Sequence, residues 1–407
     1  MVPAVVIFRG GYGTVAIART LGRLGVPVYL VAQEGMPNPG WSSRYWANRI
    51  RWDFSRPEQE SVSFVLDVGA RIRADHGAPA ILFTLDDWIA IFIERNREAL
   101  GEQFVFPQPE RPVIRALLNK WEMNVLAKSH DLPTPAAVHP ASFDEIDEFL
   151  ARTDFPIVMK AADKYMGDPP PTKLIHSRQQ LMDEVGDRDT ERAPLNIVLQ
   201  EYIPGGVDSV WMCIGYFGAG PDRDVTFTGK KLRQVSAAGI ASLGVCLPND
   251  TVDAQTRRFM REVGYRGCVG IGWRYDERDG LYKVLDVNAR VDGAFRLFEG
   301  TNQMDVVRVC YLDLTGQEFP VTALQPRRKW MLEDDVVVAA SSVRSGQLTL
   351  AEWVRSIRGV QEWQWLAVDD PLPFLVRMRD VLPRVVQNNA ERSADGSGRE
   401  GRYEQRR

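Results

Sequence analysis

The sequence predicts an α/β protein of several packed domains, opening with a parallel-sheet domain and closing with a small helical cap. Three observations carry that expectation. A length of 407 residues is too much for one ordinary hydrophobic core and fits two or three packed domains. Residues 4 to about 112 alternate apolar strand segments with helical stretches, the pattern of a parallel sheet covered by helices on its faces. Residues 209–286 are instead dominated by strands, interrupted by one helical stretch at 253–263.

The elements follow in order. Residues 5–8 read as a strand, 14–24 as a helix, 28–31 as a second strand, 62–74 as a helix and 80–83 as a third strand. Ligands of such sheets lie at the carboxyl ends of the strands. Two of those ends are polar here, Arg9-Gly10-Gly11-Tyr12-Gly13 and Thr84-Leu85-Asp86-Asp87. A helical pattern at 113–128 is broken by Leu132-Pro133-Thr134-Pro135, and a helix at 143–151 leads to a strand ending in Lys160. Residues 163–172, with one glycine and Pro169-Pro170-Pro171, read as a loop. A helix at 177–185 precedes a strand at 197–200. Residues 327–384 are rich in tryptophan (Trp330, Trp353, Trp363, Trp365) and carry short amphipathic helices at 350–357 and 373–382, which predicts a C-terminal cap. The tail 388–407 has almost no apolar residues and is expected to be disordered.

Composition narrows the function. A net charge of −4 argues against bulk nucleic-acid binding, which needs a basic surface. Cys213, Cys246, Cys268 and Cys310 stand in separate apolar contexts and read as reduced core thiols. His76, His130, His139 and His176 are scattered and pair with no ligand-like neighbour. The chain starts directly on a strand, with neither a signal peptide nor an apolar stretch long enough to span a bilayer, so a cytoplasmic protein is expected, with no membrane partner.

The chemistry concentrates in Leu285-Asp286-Val287-Asn288-Ala289-Arg290. A carboxylate and a carboxamide two apart on a strand share a face, and Arg290 joins them. Such oxygens beside a guanidinium suit Mg²⁺ bridging phosphate oxygens, although a polar strand end at a sheet surface would look the same. Phe155-Pro156-Ile157-Val158-Met159-Lys160 is an apolar strand ending in a point charge that can hold a phosphate. Ile197-Val198-Leu199-Gln200-Glu201-Tyr202-Ile203-Pro204-Gly205-Gly206 runs from a strand into a hinge-like turn, and Phe227-Thr228-Gly229-Lys230-Lys231-Leu232-Arg233-Gln234 gathers three cations. Alternation would place Lys231 and Arg233 on one strand face and Lys230 on the other. A solvated cationic edge strand is the rival reading of that cluster.

In order and spacing these elements resemble the ATP-grasp superfamily, and within it the carboxylate–amine ligases, the group that includes D-aspartate ligase-like enzymes. The resemblance covers roughly residues 5–374 and is strongest over 120–290. It implies an α/β fold with an N-terminal parallel-sheet domain (1–115), a two-lobed ATP-grasp α+β domain (116–200 and 201–325), a small C-terminal helical cap (326–387) and a tail (388–407). It further implies ATP and Mg²⁺ as cofactors. Lys120, in Leu118-Asn119-Lys120, and Lys160 would contact ATP phosphates. Glu201, Tyr202 and Ile203 would meet the adenine and Asp208 the ribose hydroxyls. Asp286 and Asn288 would hold the metal. Lys231 and Arg233 would take the γ-phosphate and a substrate carboxylate, and Arg290 an oxyanion or the transferred phosphoryl group. The implied reaction phosphorylates a small-molecule carboxylate to an acyl phosphate, which an amine then attacks. A homodimer is compatible with that group.

Two departures stand out. Cys268-Val269-Gly270-Ile271-Gly272-Trp273 carries glycines at both positions where a further acidic metal ligand is expected, leaving Asp276 as a substitute to consider. The loop 163–172 is far from glycine-rich. A nucleotide-binding protein without turnover therefore stays open as an alternative. So does an NAD-dependent oxidoreductase, because Gly11-Tyr12-Gly13-Thr14-Val15-Ala16 matches a dinucleotide fingerprint and Glu34 follows about 20 residues on. Asp86 and Asp87 could meet a substrate amine, with a helix N-cap as the other reading of Asp86.

Overall fold

The apolar segments of the first hundred residues pair as parallel strands: β1 (Ala4–Phe8), β2 (Val28–Gln33), β3 (Trp46–Trp52), β4 (Ala80–Thr84) and β5 (Phe104–Val105). This arrangement comes from a computed structural model that describes residues 1–381 apart from 11, 167–168, 187–194, 236–238 and 321. The predicted tail 388–407 lies outside the described residues. The strand order is β3-β2-β1-β4-β5, so the order reverses between β1 and β4, the switch point of the sheet. Both β1 and β4 are buried along their whole length, as expected of strands covered on two faces. Strand β3 was not read from the sequence. It is an edge strand with exposed Ala47, Asn48 and Arg49, and charge on an edge hides the apolar signal.

A second, antiparallel sheet has the order β6-β9-β7-β8, from β6 (Ala137–Val138), β7 (Ile157–Ala161), β8 (Lys173–Ile175) and β9 (Ile197–Glu201). The helices Phe143–Leu150 and Arg178–Val185 bury Ile146, Phe149, Leu181 and Val185 against Ile157, Met159 and Leu199. Each helix starts on a serine, Ser142 and Ser177, whose hydroxyl accepts from the third residue's N–H.

The third sheet has seven strands in the order β14-β13-β10-β11-β12-β15-β16. They are β10 (Val210–Phe217), β11 (Val225–Gln234), β12 (Ala241–Cys246), β13 (Gly267–Asp276), β14 (Leu281–Asn288), β15 (Lys329–Met331) and β16 (Val360–Trp363). Helix Asp250–Glu262 packs its Phe259 and Met260 beside Cys213 and Ile271. On the other face, helix Val306–Leu314 lies between this sheet and helix Thr14–Gly22, so Ile17 and Leu21 share one core with Ile214, Phe227 and Val309. The first sheet and the third are thus packed through a common layer of helices.

The C-terminal segment contains the expected helix Leu350–Ile357, the expected helix at 373–382 spans 372–381 of the described residues, and a further helix, Asp335–Arg344, was not read from the sequence. It also adds β15 and β16 to the third sheet. Trp330 and Trp365 are buried in the core, so these two tryptophans serve packing. The segment is tied to the first domain by Arg19. Its guanidinium donates to the Asp370 carboxylate at 2.9 Å and to the carbonyls of Gln364, Trp365 and Asp370 at 3.2, 2.8 and 2.8 Å, all out of water. Among the described residues no helix is long and apolar enough to cross a membrane.

Candidate active site

Strand β14 presents the acid and the amide. Its register sets Asp286 opposite Gly272 and Asn288 opposite Gly270, with Val287 buried on the other face. A bulge precedes Asp286, because Gly272 and Trp273 on β13 face Asp286 and Val284 with Leu285 unpaired between them. The two glycines leave the sheet bare beneath the carboxylate and the amide. A Cβ on Gly272 would meet only Asp286, at 3.8 Å, so the space there is open.

Two other elements deliver cations to this strand. Lys120, the first residue of helix Lys120–Ser129, forms an ion pair with Asp286; Asn119 caps that helix by accepting from the N–H groups of Trp121 and Glu122. Lys160 at the end of β7 donates to the Leu285 carbonyl at 3.5 Å. Burial first, and then Lys120, bring its ammonium down to about 8, with Asp286 opposing. Burial alone would raise the Asp286 carboxyl; Lys120, Lys160 and Lys164 outweigh it and hold it below the usual range. The ammonium of Lys231, on β11, donates to the Gly239 carbonyl and is lowered by burial against the pull of Asp292 and Asp286.

Arg290 follows β14. Its Nε donates to Asp87 at 2.6 Å, its Nη2 to the Asn288 amide oxygen at 3.1 Å and its Nη1 to the Val291 carbonyl at 3.1 Å. Asp87 opens helix Asp87–Arg95 of the first domain, is almost fully buried and also pairs with Lys164. The carboxylate considered for a substrate amine is therefore spent on Arg290 and Lys164. Asp86 is the N-cap, accepting from the Ile89 N–H at 3.0 Å.

The expectation for Arg233 needs correction. Lys231 pairs with Gly244 and Arg233 with Leu243, so a bulge on β11 breaks the alternation that was to put both on one face. Arg233 turns to the cap instead, where Nε and Nη2 bind Asp335 at 2.9 and 2.8 Å and Nη1 donates to Ser356 at 2.8 Å. Asp276 cannot take the place of the missing acid either. It pairs with Leu281, at the far end of β13 from Gly272, and its carboxylate is held by Arg278 and by Lys283, the latter at 2.7 Å. Glu201 accepts from the Ala136 N–H at 3.0 Å and lies 3.3 Å from Arg278 and 3.5 Å from Lys283, so its carboxylate is engaged by protein. Tyr202 lies under the Arg274 guanidinium, Ile203 is buried, and Asp208 is exposed in the turn Val207–Ser209.

One site residue escaped the sequence reading. Asp292, two past Arg290, sets its carboxylate over Gly270: a Cβ there would meet Asp292 Oδ2 at 2.7 Å. An acid has thus returned to the bare strip of β13 from a neighbouring turn, where no strand period could reveal it. The same turn closes on the N-terminal glycines. Gly13 has φ 108°, and a Cβ on it would meet Leu85 at 2.6 Å and the Gly293 Cα at 3.0 Å. The place in front of helix Thr14–Gly22 where a dinucleotide would lay its pyrophosphate is filled by protein.

No sequence-family profile matches the chain. It is 22% identical over 247 residues to a D-aspartate ligase of Enterococcus faecium (strain Aus0004), a match spanning 58% of each chain, so the chain covers a little over half of that relative's length. Among solved structures, an L-amino acid ligase from Bacillus licheniformis superposes with a TM-score of 0.58 and 15% identity over 80% of this chain and 78% of that one. An N5-carboxyaminoimidazole synthetase from Staphylococcus aureus, complexed with ADP, gives 0.60 and 14% over 81% of each. By these superpositions the chain has the fold of this L-amino acid ligase and of the N5-carboxyaminoimidazole synthetase.

Proposed function

We propose that the chain is an ATP-dependent ligase that joins a small-molecule carboxylate to an amine through an acyl phosphate. The observation that carries this reading is the convergence of Lys120 and Lys160, from two separate elements, on the strand that bears Asp286 and Asn288 and leads to Arg290. Lys120 and Lys160 would grip the phosphates, and the Lys120–Asp286 pair would open as they do. The adenine would be read by the backbone of Tyr202 and Ile203, because the Glu201 carboxylate is engaged elsewhere. Asp208 would take the ribose. Residues 116–200 and 201–325 would act as the two lobes around the nucleotide.

Asp286 and Asn288 fit Mg²⁺: both are hard oxygen donors on one face, above a glycine that leaves room for an ion. When bound, the ion would neutralise phosphate charge during transfer. Arg290, oriented by Asp87 and Asn288, would offer its remaining donors to the oxyanion, and Lys231 would bind the γ-phosphate or the substrate carboxylate. Phosphoryl transfer asks mainly for positioning and charge, so these residues need no protein nucleophile beside them.

The deciding experiment measures ADP release while acids and amines are screened together. Release that requires both supports the ligase. ATP binding without release under any combination favours the second reading, a nucleotide-binding protein without turnover, for which Gly272 in place of an acid is the specific argument.

A further inference from the structure

A cavity of about 70 Å³ lies where the first domain meets the start of β13, and neither Asp286 nor Asn288 lines it. Its walls are apolar: Leu82 and Phe83 of β4, Ala90 and Ile93 of helix Asp87–Arg95, Phe106 and Val291 are all buried. The polar groups along it are already engaged by protein. Tyr265 donates its hydroxyl to the Cys268 carbonyl at 2.6 Å, and the Cys268 thiol donates to the Val306 carbonyl at 3.5 Å. Arg290 borders the cavity too, with its guanidinium bonded to Asp87, Asn288 and Val291. Among the described residues that line it, no buried side-chain nitrogen or oxygen lacks a partner. A water inside would need about two to four polar partners and finds no free side chain, so the space favours hydrocarbon.

The lining residues that water reaches are Pro107, Ile114, Arg266 and Arg290. With Arg290 committed to its three partners, Pro107, Ile114 and Arg266 form the mouth, and Arg266 is the cation there. It pairs with Glu110 at 3.1 Å, and the Glu110 side chain is 73% exposed. An ion pair this open to solvent is weak, so Glu110 readily cedes Arg266 to another carboxylate. Size limits the occupant. One water needs about 10–15 Å³ of such space, so the cavity matches roughly five waters, or an alkyl chain of about four to six carbons. A dry apolar space behind a cationic mouth complements a short chain with an anionic head.

We propose that this cavity is a second small-molecule site, separate from the nucleotide cleft, for a short-chain aliphatic carboxylate whose chain fills it and whose head pairs with Arg266. The assignment goes beyond the ligase reading, and its test needs no turnover. Saturation-transfer NMR titrations on the full chain would use acetate, butyrate, hexanoate and decanoate, with hexan-1-ol as the uncharged probe. Affinity should rise about fourfold per methylene from acetate to hexanoate, the gain for each buried CH₂, and level off at decanoate, whose chain outgrows the space. Hexanol should bind several-fold more weakly than hexanoate. Arg266→Gln should abolish that difference, and Glu110→Gln, which removes the competing carboxylate, should tighten hexanoate binding about twofold. Ala90→Leu fills the cavity and should weaken hexanoate about tenfold or more. Thermal unfolding reports on folding in each variant. Should Ala90→Leu fail to fold, the chain-length series and the two mouth variants, which leave the core untouched, decide. Saturating ADP should leave hexanoate bound. Affinity indifferent to chain length or still climbing at decanoate, unchanged hexanoate binding in Arg266→Gln, or displacement by ADP overturns the proposal.

Discussion

Asp87 and Arg290 lie 203 residues apart in sequence and meet at 2.6 Å. A carboxylate of the first domain thereby sets the guanidinium that, in turn, bonds the Asn288 amide at 3.1 Å. Burial works against both charges, and each holds the other ionised: Asp87 is kept below the usual carboxylate range chiefly by Arg290 and Lys164. Asp87→Asn should lower kcat on the order of tenfold to a hundredfold, the usual effect of losing a partner that orients a site ligand. It should leave the KM for ATP nearly unchanged. Steady-state ADP release decides, and an unaltered kcat would remove Asp87 from the machinery.

Asp286→Ala and Asn288→Ala should each reduce ATP turnover on the order of a hundredfold or more, because the phosphate charge loses its oxygen-held counter-ion. Both side chains sit on the open face of β14 while Val287 carries the packing, so thermal unfolding should change little. Near-normal turnover in both variants would refute the metal assignment.

The Lys160 ammonium titrates near 8, well within reach of ordinary buffers. Its charge is present below that pH and lost above it, so ADP affinity should fall as pH rises past 8, approaching about tenfold per pH unit. Lys160→Arg keeps its charge throughout and should flatten the profile. Stability has the opposite sign. The folded value lies below the unfolded one, so the unfolded chain binds the extra proton between about 8 and about 10.4, and Lys160 destabilises the fold less as pH rises through that window. Isothermal titration of ADP from pH 7 to pH 9, near the neutral and alkaline ends of about a two-unit span, checks the binding half.

The two glycines of β13 should respond differently to an introduced acid. Gly272→Asp enters open space facing Asp286 and should lower the Mg²⁺ concentration needed for turnover. Gly270→Asp collides with Asp292 and should cost about 1–3 kcal/mol of stability, the range for overpacking. Equal tolerance of both acids in urea unfolding would contradict the placement of Asp292.

Much of this was legible in the sequence, for identifiable reasons. The buried strands β1 and β4 are almost entirely apolar, and the Asp286–Asn288 pair obeys the two-residue period of a strand. Arg233 was misplaced because one bulge reverses every face after it, and nothing in Lys230-Lys231-Leu232-Arg233 announces a bulge. Asp292 was missed because turns have no period; its only trace was the glycine beneath it. The contact between Asp87 and Arg290 depends on how domains dock, which local pattern does not encode. Gly13 was read as part of a dinucleotide fingerprint, and its close approach to Gly293 is a tertiary contact that local pattern does not encode.

The anchoring of Arg19 by Asp370 bears on how the chain is made. All the oxygens that satisfy this buried cation come from residues 364–370, which leave the ribosome 345 or more residues after it. At about 5–20 residues per second the first domain waits roughly 20–70 seconds with a bare guanidinium in its core. It therefore cannot reach its final packing as an early, independent unit, whatever its parallel sheet achieves alone. Ribosome-bound chains halted before residue 364 should stay open to protease within the first domain, and chains extended past residue 381 should close it. Equal resistance at both lengths would show that the domain completes itself without its last partner.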